Sequence, residues 1–155
     1  MKNHFLLVLS LFLASCSTSS ETTTAAKSLE HYQSESMRTL GLPFSDAVIV
    51  DDIIYLSGQI GNLPGTLNLA PGGLKAEAKQ AIENMKAILE ANGSSLDDVI
   101  KVTVMMADID EWGEFNQEYI KYFTAENKPA RSAFGTSGLA LGARLEIECI
   151  ALKRK

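Results

Sequence analysis

The chain has 155 residues, a formal net charge of −5, two histidines and two cysteines. This length fits one domain of ordinary size, and the acidic balance, with no basic run apart from residues 153–155, disfavours a nucleic-acid partner. So few cysteines and histidines supply neither a disulfide framework nor a zinc-ligand cluster, so we expect no metal site.

The first fifteen residues have the layout of an export signal. Lys2 precedes an apolar run over residues 5–13 that is too short to span a bilayer. Small residues follow, and residues 13–16 resemble the bacterial lipobox, which implies removal of residues 1–15 and lipidation of Cys16. Because Ser17 is not aspartate, the resemblance implies an exported protein held at the outer membrane, if the cell has one. An ordinary secretory signal with a chance cysteine is the alternative.

Residues 16–30 are rich in serine and threonine and predict a flexible tether, because they hold too few apolar side chains to form a core. The folded domain is therefore assigned to residues 31–155. His31, the one histidine of the mature chain, lies beside this tether, and we assign it no catalytic role.

The first half of the domain predicts a hairpin followed by a helix. Residues 47–50 and 53–57 are rich in β-branched side chains and flank a two-residue Asp51-Asp52 turn. A loop with two prolines and three glycines follows. From Leu74 to Leu89 the apolar residues recur at a helical period, with Glu77 on the predicted polar side, and Asn92-Gly93 predicts the end of the helix.

The second half predicts a strand over residues 99–107, a second helix and two further strands, over 130–134 and 144–152. Asp110 is the predicted N-cap of this helix. Its apolar stripe comprises Trp112, Phe115, Tyr119, Tyr122 and Phe123.

The predicted order is β-β-α-β-α-β-β, an α+β domain. Strand 99–107 is apolar on both sides, with Ile100, Val102, Val104 and Met106 on one of them. Two helices cannot cover both faces of a four- or five-stranded sheet. We therefore expect a homo-oligomer, because an exposed apolar face of that size marks association.

Polar residues in three short segments are the candidates for chemistry. Arg131 lies between Pro129 and a short apolar strand, so its planar guanidinium must find a carboxylate, either a substrate or a structural glutamate. Glu146 and Glu148 share one face of the last strand, where each raises the pKa of the other if water is scarce; a solvated outer face neutralised by Arg144 is the alternative. Ser57 has no activating base in its sequence context, which favours a hydrogen-bonding or turn role.

Taken together, residues 54–60, 84–93 and 98–104 resemble the Rid family of reactive-intermediate (enamine/imine) deaminases. The resemblance continues through Asn116 and Tyr119 to residues 129–132 and 145–148, and it spans about residues 40–152. It implies a chorismate-mutase-like fold, a homotrimer with active sites in clefts between subunits, and no cofactor. The implied reaction is hydrolysis of 2-aminoacrylate and related 2-imino acids to 2-oxo acids and ammonia.

The resemblance also implies roles for particular residues. Arg131 would bind the substrate carboxylate, assisted by the backbone N–H of Ala133, and Glu146 would orient or activate the attacking water. Ser57 would hydrogen-bond near the imine nitrogen. The remaining implied substrate-binding positions are Phe44, Gln59 and Phe134.

Two positions depart from the family pattern. Phe44 stands where the family usually has a tyrosine, and Ala133 stands where it usually has a cysteine. These departures, with the predicted export, leave a second hypothesis: an exported, non-catalytic trimer that binds small carboxylic acids in the same cleft. In both hypotheses the partners are a small 2-imino or 2-oxo acid, other copies of the chain, and a membrane through the lipid alone.

Overall fold

The computed structural model describes residues 27–124, 126 and 128–154. Its strands and helices are β1 Leu29–Tyr32, α1 Glu35–Leu40, β2 Ala47–Val50, β3 Ile53–Ile60, α2 Leu74–Ala91, β4 Val99–Met106, α3 Trp112–Tyr119, β5 Ala130–Gly135 and β6 Leu145–Leu152. The strands form one sheet in the order β1-β2-β3-β6-β4-β5. This α+β architecture confirms the predicted fold class.

The N-terminal part of the domain contains two elements that the sequence did not predict. β1 pairs antiparallel with β2 and takes in Leu29 and Glu30, the last two residues assigned to the tether. α1 follows, with the Ser34 side chain accepting the Met37 N–H at its start. The predicted signal peptide, Cys16 and the tether up to residue 26 lie outside the described residues. Within the described part, no helix is both long enough and apolar enough to cross a membrane.

The core lies between α2, α3 and one face of the sheet. The predicted hairpin is confirmed, since Val50 pairs with Ile53 across the Asp51-Asp52 turn. Alternate side chains of the central strands β4 and β6 face the helices and are buried: Val102, Val104, Met106, Leu145, Ile147, Cys149 and Ala151. Alternation with a period of two places their neighbours on the opposite face.

Three side chains lie elsewhere than predicted. Glu77 is buried rather than solvated, because its carboxylate accepts the backbone N–H of Arg144 at 2.9 Å. An irregularity in the pairing of β4 with β6 at Ile100 removes this residue from the buried row, and it is 45% exposed. Trp112 is 45% exposed as well, because it begins α3 at the margin of the core.

The second face of the sheet has no helix packed over it in the described chain. It carries several large apolar side chains that are exposed or half-buried: Tyr55, Met105, Phe134, Ile150 and Leu152. The sequence predicted such an uncovered apolar face, and the register of the strands confirms it.

Candidate functional site

Glu146 lies on the uncovered face of the sheet. It pairs with Ile60 of β3 on one side and with Met105 of β4 on the other. Partial burial raises the pKa of its carboxyl, and the charge of Glu148 raises it further. Arg144 does not neutralise this pair, because its guanidinium bonds Glu111 instead. The carboxyl of Glu146 is therefore easier to protonate than a solvated one, as a group that takes up and returns a proton near neutral pH requires.

Gly58 provides the space that the Glu146 side chain occupies. The pairing of β3 with β6 shifts between Leu56 and Gln59, and Gly58 lies in that shift. A Cβ on Gly58 would overlap the carboxyl oxygen Oε1 of Glu146. The amide of Gln59 donates to the carbonyls of Ser57 and Gly58, at 3.1 and 3.2 Å, which stabilises the irregular backbone.

A cavity of about 500 Å³ opens beside this carboxyl. Phe44, Gln59 and Glu146, three of the predicted site residues, line it together with Gly58 and Asn84. Most of the remaining wall is apolar and comes from α1 and the segment after it, from α2 and from the loop after β3, including Met37, Leu40, Leu42, Leu67, Ala87 and Ile88. The structure thus places a partly desolvated carboxyl at the edge of an apolar cavity.

Ser57 anchors the segment that carries Phe44. Its hydroxyl donates to the carbonyl of Ser45 at 2.7 Å, and its backbone N–H donates to the carbonyl of Asp46 at 2.9 Å. The hydroxyl proton is therefore engaged by the backbone. Its oxygen retains the capacity to accept a further hydrogen bond.

Arg131 lies on β5, a strand at the edge of the sheet, and projects toward α3. The carbon of its guanidinium is 4.5 Å from the ring centre of Tyr119 and 5.7 Å from those of Trp112 and Phe115. Within the part of the chain that the structure describes, no carboxylate lies within 4.0 Å of it. The structural ion pair considered for Arg131 is therefore not seen among these residues.

Ala133 joins Arg131 at a shallow depression of about 370 Å³, whose other walls are Ile109 and Trp112. The buried thiol of Cys149 plays no part here, because burial raises its pKa to about 12, and Glu148 adds to this effect. A thiol that stays protonated is a poor nucleophile. The depression thus presents one guanidinium among apolar walls.

The structure separates the two residues predicted to be catalytic. Arg131 pairs with Val102, whose side chain is buried under the helices, whereas Glu146 pairs with Met105, an odd number of residues further along β4. Strand alternation therefore places Arg131 and Glu146 on opposite faces of one sheet. Phe134 pairs with Met105 and shares the face of Glu146, two strands away and so about 10 Å from it. Within one chain, the Arg131 guanidinium and the Glu146 carboxyl therefore do not face a common space.

Two features of the site were not predicted from the sequence. The role of Gly58 depends on a strand irregularity, for which a lone glycine inside a strand is the only signal. The rings against Arg131 were predicted as core residues of a helical stripe. The helical spacing of these rings predicted that they share one face of a helix. Their contact with Arg131 on β5 depends on tertiary packing, which a local pattern does not show.

Comparison with known proteins identifies the relatives of this chain. The profile of the family described as Endoribonuclease L-PSP matches residues 36–153. The 2-iminobutanoate/2-iminopropanoate deaminase of Rattus norvegicus is 47% identical over 110 residues, which are 71% of this chain and 80% of the rat protein. The human protein of the same name is 46% identical over 111 residues, 72% of this chain and 80% of its own length.

Solved structures agree. A yeast protein superposes with a TM-score of 0.75 and 40% identity, covering 82% of this chain and 100% of its own. RidA from an Antarctic Psychrobacter species has a TM-score of 0.67 and 40% identity, covering 72% of this chain and 89% of its own.

Proposed function

This chain belongs to the Rid family, whose profile is described as Endoribonuclease L-PSP, and we propose that it hydrolyses small 2-imino acids to 2-oxo acids and ammonia. The observation that supports this proposal most is the surroundings of the Arg131 guanidinium. This group is half-buried and contacts aromatic rings, and no carboxylate of the described residues lies within 4.0 Å of it. Such a group is available for the carboxylate of a substrate. The names of the rat and human relatives suggest 2-iminobutanoate and 2-iminopropanoate as substrates.

The proposed binding step uses the shape of the guanidinium. Two parallel N–H donors of Arg131 match the two oxygens of a carboxylate and fix the orientation of the adjacent imine carbon. The backbone N–H of Ala133 and the hydroxyl oxygen of Ser57 are the further polar groups proposed to contact the substrate. Phe44, Gln59 and Phe134 would border it.

In the proposed chemical step, Glu146 takes up one proton and later gives it back. Glu146 takes a proton from water as the water oxygen bonds to the imine carbon, whose nitrogen receives a proton from solvent. The resulting carbinolamine then loses ammonia: the proton on Glu146 passes to the nitrogen, the carbon–nitrogen bond breaks, and the hydroxyl group releases its proton to solvent as it becomes the carbonyl. General acid–base catalysis of this kind contributes about 10²–10⁴-fold.

We propose that the complete site forms between subunits of a homotrimer. Arg131 and Glu146 lie on opposite faces of one sheet, so a single small substrate cannot bridge them within one chain. Arg131 is on an edge strand, which a neighbouring chain can approach, and the face around Glu146 carries exposed apolar side chains. A ring of subunits would join the Arg131 half-site of one chain to the Glu146 half-site of the next.

An imine-competition assay tests the activity. An amino-acid oxidase acting on alanine produces 2-iminopropanoate, and semicarbazide traps the fraction that has not been hydrolysed. Tether-free wild type and the surface control Arg154→Ala should lower semicarbazone formation, whereas Arg131→Ala should not. No effect of the wild type, or an equal effect of Arg131→Ala, would refute the proposal.

The same proteins distinguish an enzyme from a module that only binds. If the wild type lacks turnover but 2-oxobutanoate raises its melting temperature in an Arg131-dependent, saturable manner, the exported binding trimer is the better description. Turnover contradicts that alternative.

The family description also names a ribonuclease, and we propose that RNA is not a partner of this chain. Its formal charge of −5 repels a polyanion, and the proposed site contains one guanidinium and a partly desolvated carboxyl. Incubation with single-stranded RNA should leave the RNA intact. Cleavage by the wild type but not by Glu146→Gln would contradict this proposal.

We propose that the mature chain begins at Cys16 and is held at a membrane by lipid on that residue. The short apolar run before small residues and a cysteine supports this. In a bacterial host, radioactive palmitate should label the wild type but not Cys16→Ser, and the label should fractionate with the outer membrane where one exists. Unlabelled wild type would contradict the proposal.

A further inference from the structure

The side of Arg131 turned toward α3 rests on three aromatic rings. We propose that Trp112, Phe115 and Tyr119, called here the aromatic shelf, are positioning residues that hold the Arg131 guanidinium ready for the substrate carboxylate. This inference rests on the proposed function, because it assumes that Arg131 binds that carboxylate.

The geometry of the shelf is that of cation–π contacts. All three ring centres lie within 6 Å of the guanidinium carbon, and the Tyr119 ring, at 4.5 Å, is the nearest. Phe115 and Tyr119 are buried, and Phe123 stacks on Tyr119 with ring centres 4.5 Å apart. The rings beneath Arg131 are therefore fixed by the core, while Trp112 forms an exposed margin.

Aromatic faces hold a cation without using its hydrogen-bond donors. A ring attracts the guanidinium through its quadrupole, whereas a carboxylate would occupy the same pair of N–H groups that a substrate needs. Two other arginines show the contrast. Arg144 pairs with Glu111 and Arg154 with Asp98, and both are surface residues outside the proposed site.

The Tyr119 hydroxyl is consistent with this arrangement. It is buried and has no partner with good hydrogen-bond geometry within the described part of the chain, and its one polar neighbour there is the Arg131 guanidinium, in a weak contact. Burial raises the pKa of Tyr119 to about 12, although the charge of Arg131 acts against the shift. The phenol therefore stays neutral near pH 7, and no phenolate competes with the substrate for the guanidinium.

Trp112 is the residue through which the shelf can be tested. It is 45% exposed, so its replacement leaves the core intact, and it borders the depression that contains Arg131. It is also the one tryptophan of the sequence, so intrinsic fluorescence reports on this location alone.

Steady-state kinetics on 2-iminopropanoate give the first test. We expect Trp112→Leu to raise KM about three- to thirtyfold with little change in kcat, because the lost cation–π contact affects carboxylate binding. Trp112→Phe, which keeps a ring, should restore most of the affinity. The control Ile120→Ala, at an exposed position just after α3, should retain the wild-type KM. An unchanged KM in Trp112→Leu, or an equal rise in Trp112→Phe, would overturn the inference.

Fluorescence titration with 2-oxobutanoate gives the second test and separates the two levels of the proposal. The emission of Trp112 should change saturably in the wild type and stay constant in Arg131→Ala. If the wild type shows neither turnover nor this change in fluorescence, the proposed function is refuted, and the role of the aromatic shelf with it. If the wild type hydrolyses 2-iminopropanoate and Trp112→Leu has the same KM, only the role of the aromatic shelf is refuted.

Discussion

The carboxyls of Glu146 and Glu148 share one side of β6, and this proximity has a consequence for the pH dependence of the reaction. A general base must be ionised, so burial and Glu148, which raise the pKa of Glu146, move the acidic limb of the kcat/KM profile to higher pH. We predict that Glu148→Gln moves this limb to lower pH, but not as far as for a fully solvated carboxyl, because burial is the larger cause of the raised pKa of Glu146.

The control for this experiment is Glu90→Gln, a carboxyl on the exposed end of α2 that pairs with Lys86. Its pH profile should match that of the wild type. An acidic limb that stays in place or moves to higher pH in Glu148→Gln would show that Glu148 does not act on the base.

Gly58 provides a second prediction at the scale of single residues. In Gly58→Ala the new Cβ would meet the Glu146 carboxyl, which is the far end of a flexible side chain and can rotate away. We therefore expect a folded protein with a melting temperature near that of the wild type but with kcat reduced toward that of Glu146→Gln. Wild-type kcat in Gly58→Ala would mean that the observed carboxyl position is not the active one.

The candidate residues, and which side chains alternate along a strand, could be predicted from the sequence. How these side chains lie relative to one another in the folded sheet could not. Alternation correctly placed Glu146 opposite the buried Leu145 and Ile147. The face of Arg131 depended on the parallel register between β4 and β5, which no local pattern encodes. The resemblance assigned both residues to one reaction, and the structure places them on opposite faces of the sheet.

Among the strands and helices, β1 and α1 were the two that the sequence did not predict, whereas elements with a clear apolar period were predicted. α2 presents a stripe of buried residues, and the central strands alternate clearly. β1 is a four-residue, mostly exposed strand, and α1 is a six-residue helix without a buried residue. Neither has an apolar period, so the Ser/Thr-rich composition before them extended the predicted tether too far.

The contact between the end of β3 and α2 supports a prediction at this scale. A Cβ on Gly61 would lie 2.5 Å from the Cα of Glu77, and backbone cannot rotate away as a side chain can. We predict that Gly61→Ala lowers the free energy of unfolding by about 1–3 kcal/mol, a typical cost of overpacking, in urea unfolding at fixed protein concentration.

The matched control is Gly113→Ala in α3, where a Cβ would meet nothing within 4 Å. This change should be neutral or stabilise the protein by about 0.5–1 kcal/mol, because alanine is the better helix former. Equal stability of the Gly61→Ala and Gly113→Ala variants would show that α2 is not packed tightly against this backbone.

For the whole molecule, the uncovered face predicts assembly. Ile150 lies near the middle of that face, between Tyr55 of β3 and Lys101 of β4. We expect Ile150→Asp to shift the protein from trimer to monomer in light scattering after gel filtration, with circular dichroism unchanged and activity lost. Ile120→Asp, on an exposed position beyond α3, should remain trimeric. A trimeric and active Ile150→Asp would exclude this face from the interface.

Subunit complementation is the most direct test of a site shared between chains. Arg131→Ala and Glu146→Gln, each inactive alone, are coexpressed with different tags, and assemblies that carry both tags are purified. If one chain supplies Arg131 and its neighbour supplies Glu146, every mixed cyclic trimer contains one restored site, which is about one third of its sites. We predict activity of that order on 2-iminopropanoate. Mixed assemblies no more active than either parent would show that both residues act within one chain, and would contradict the composite site.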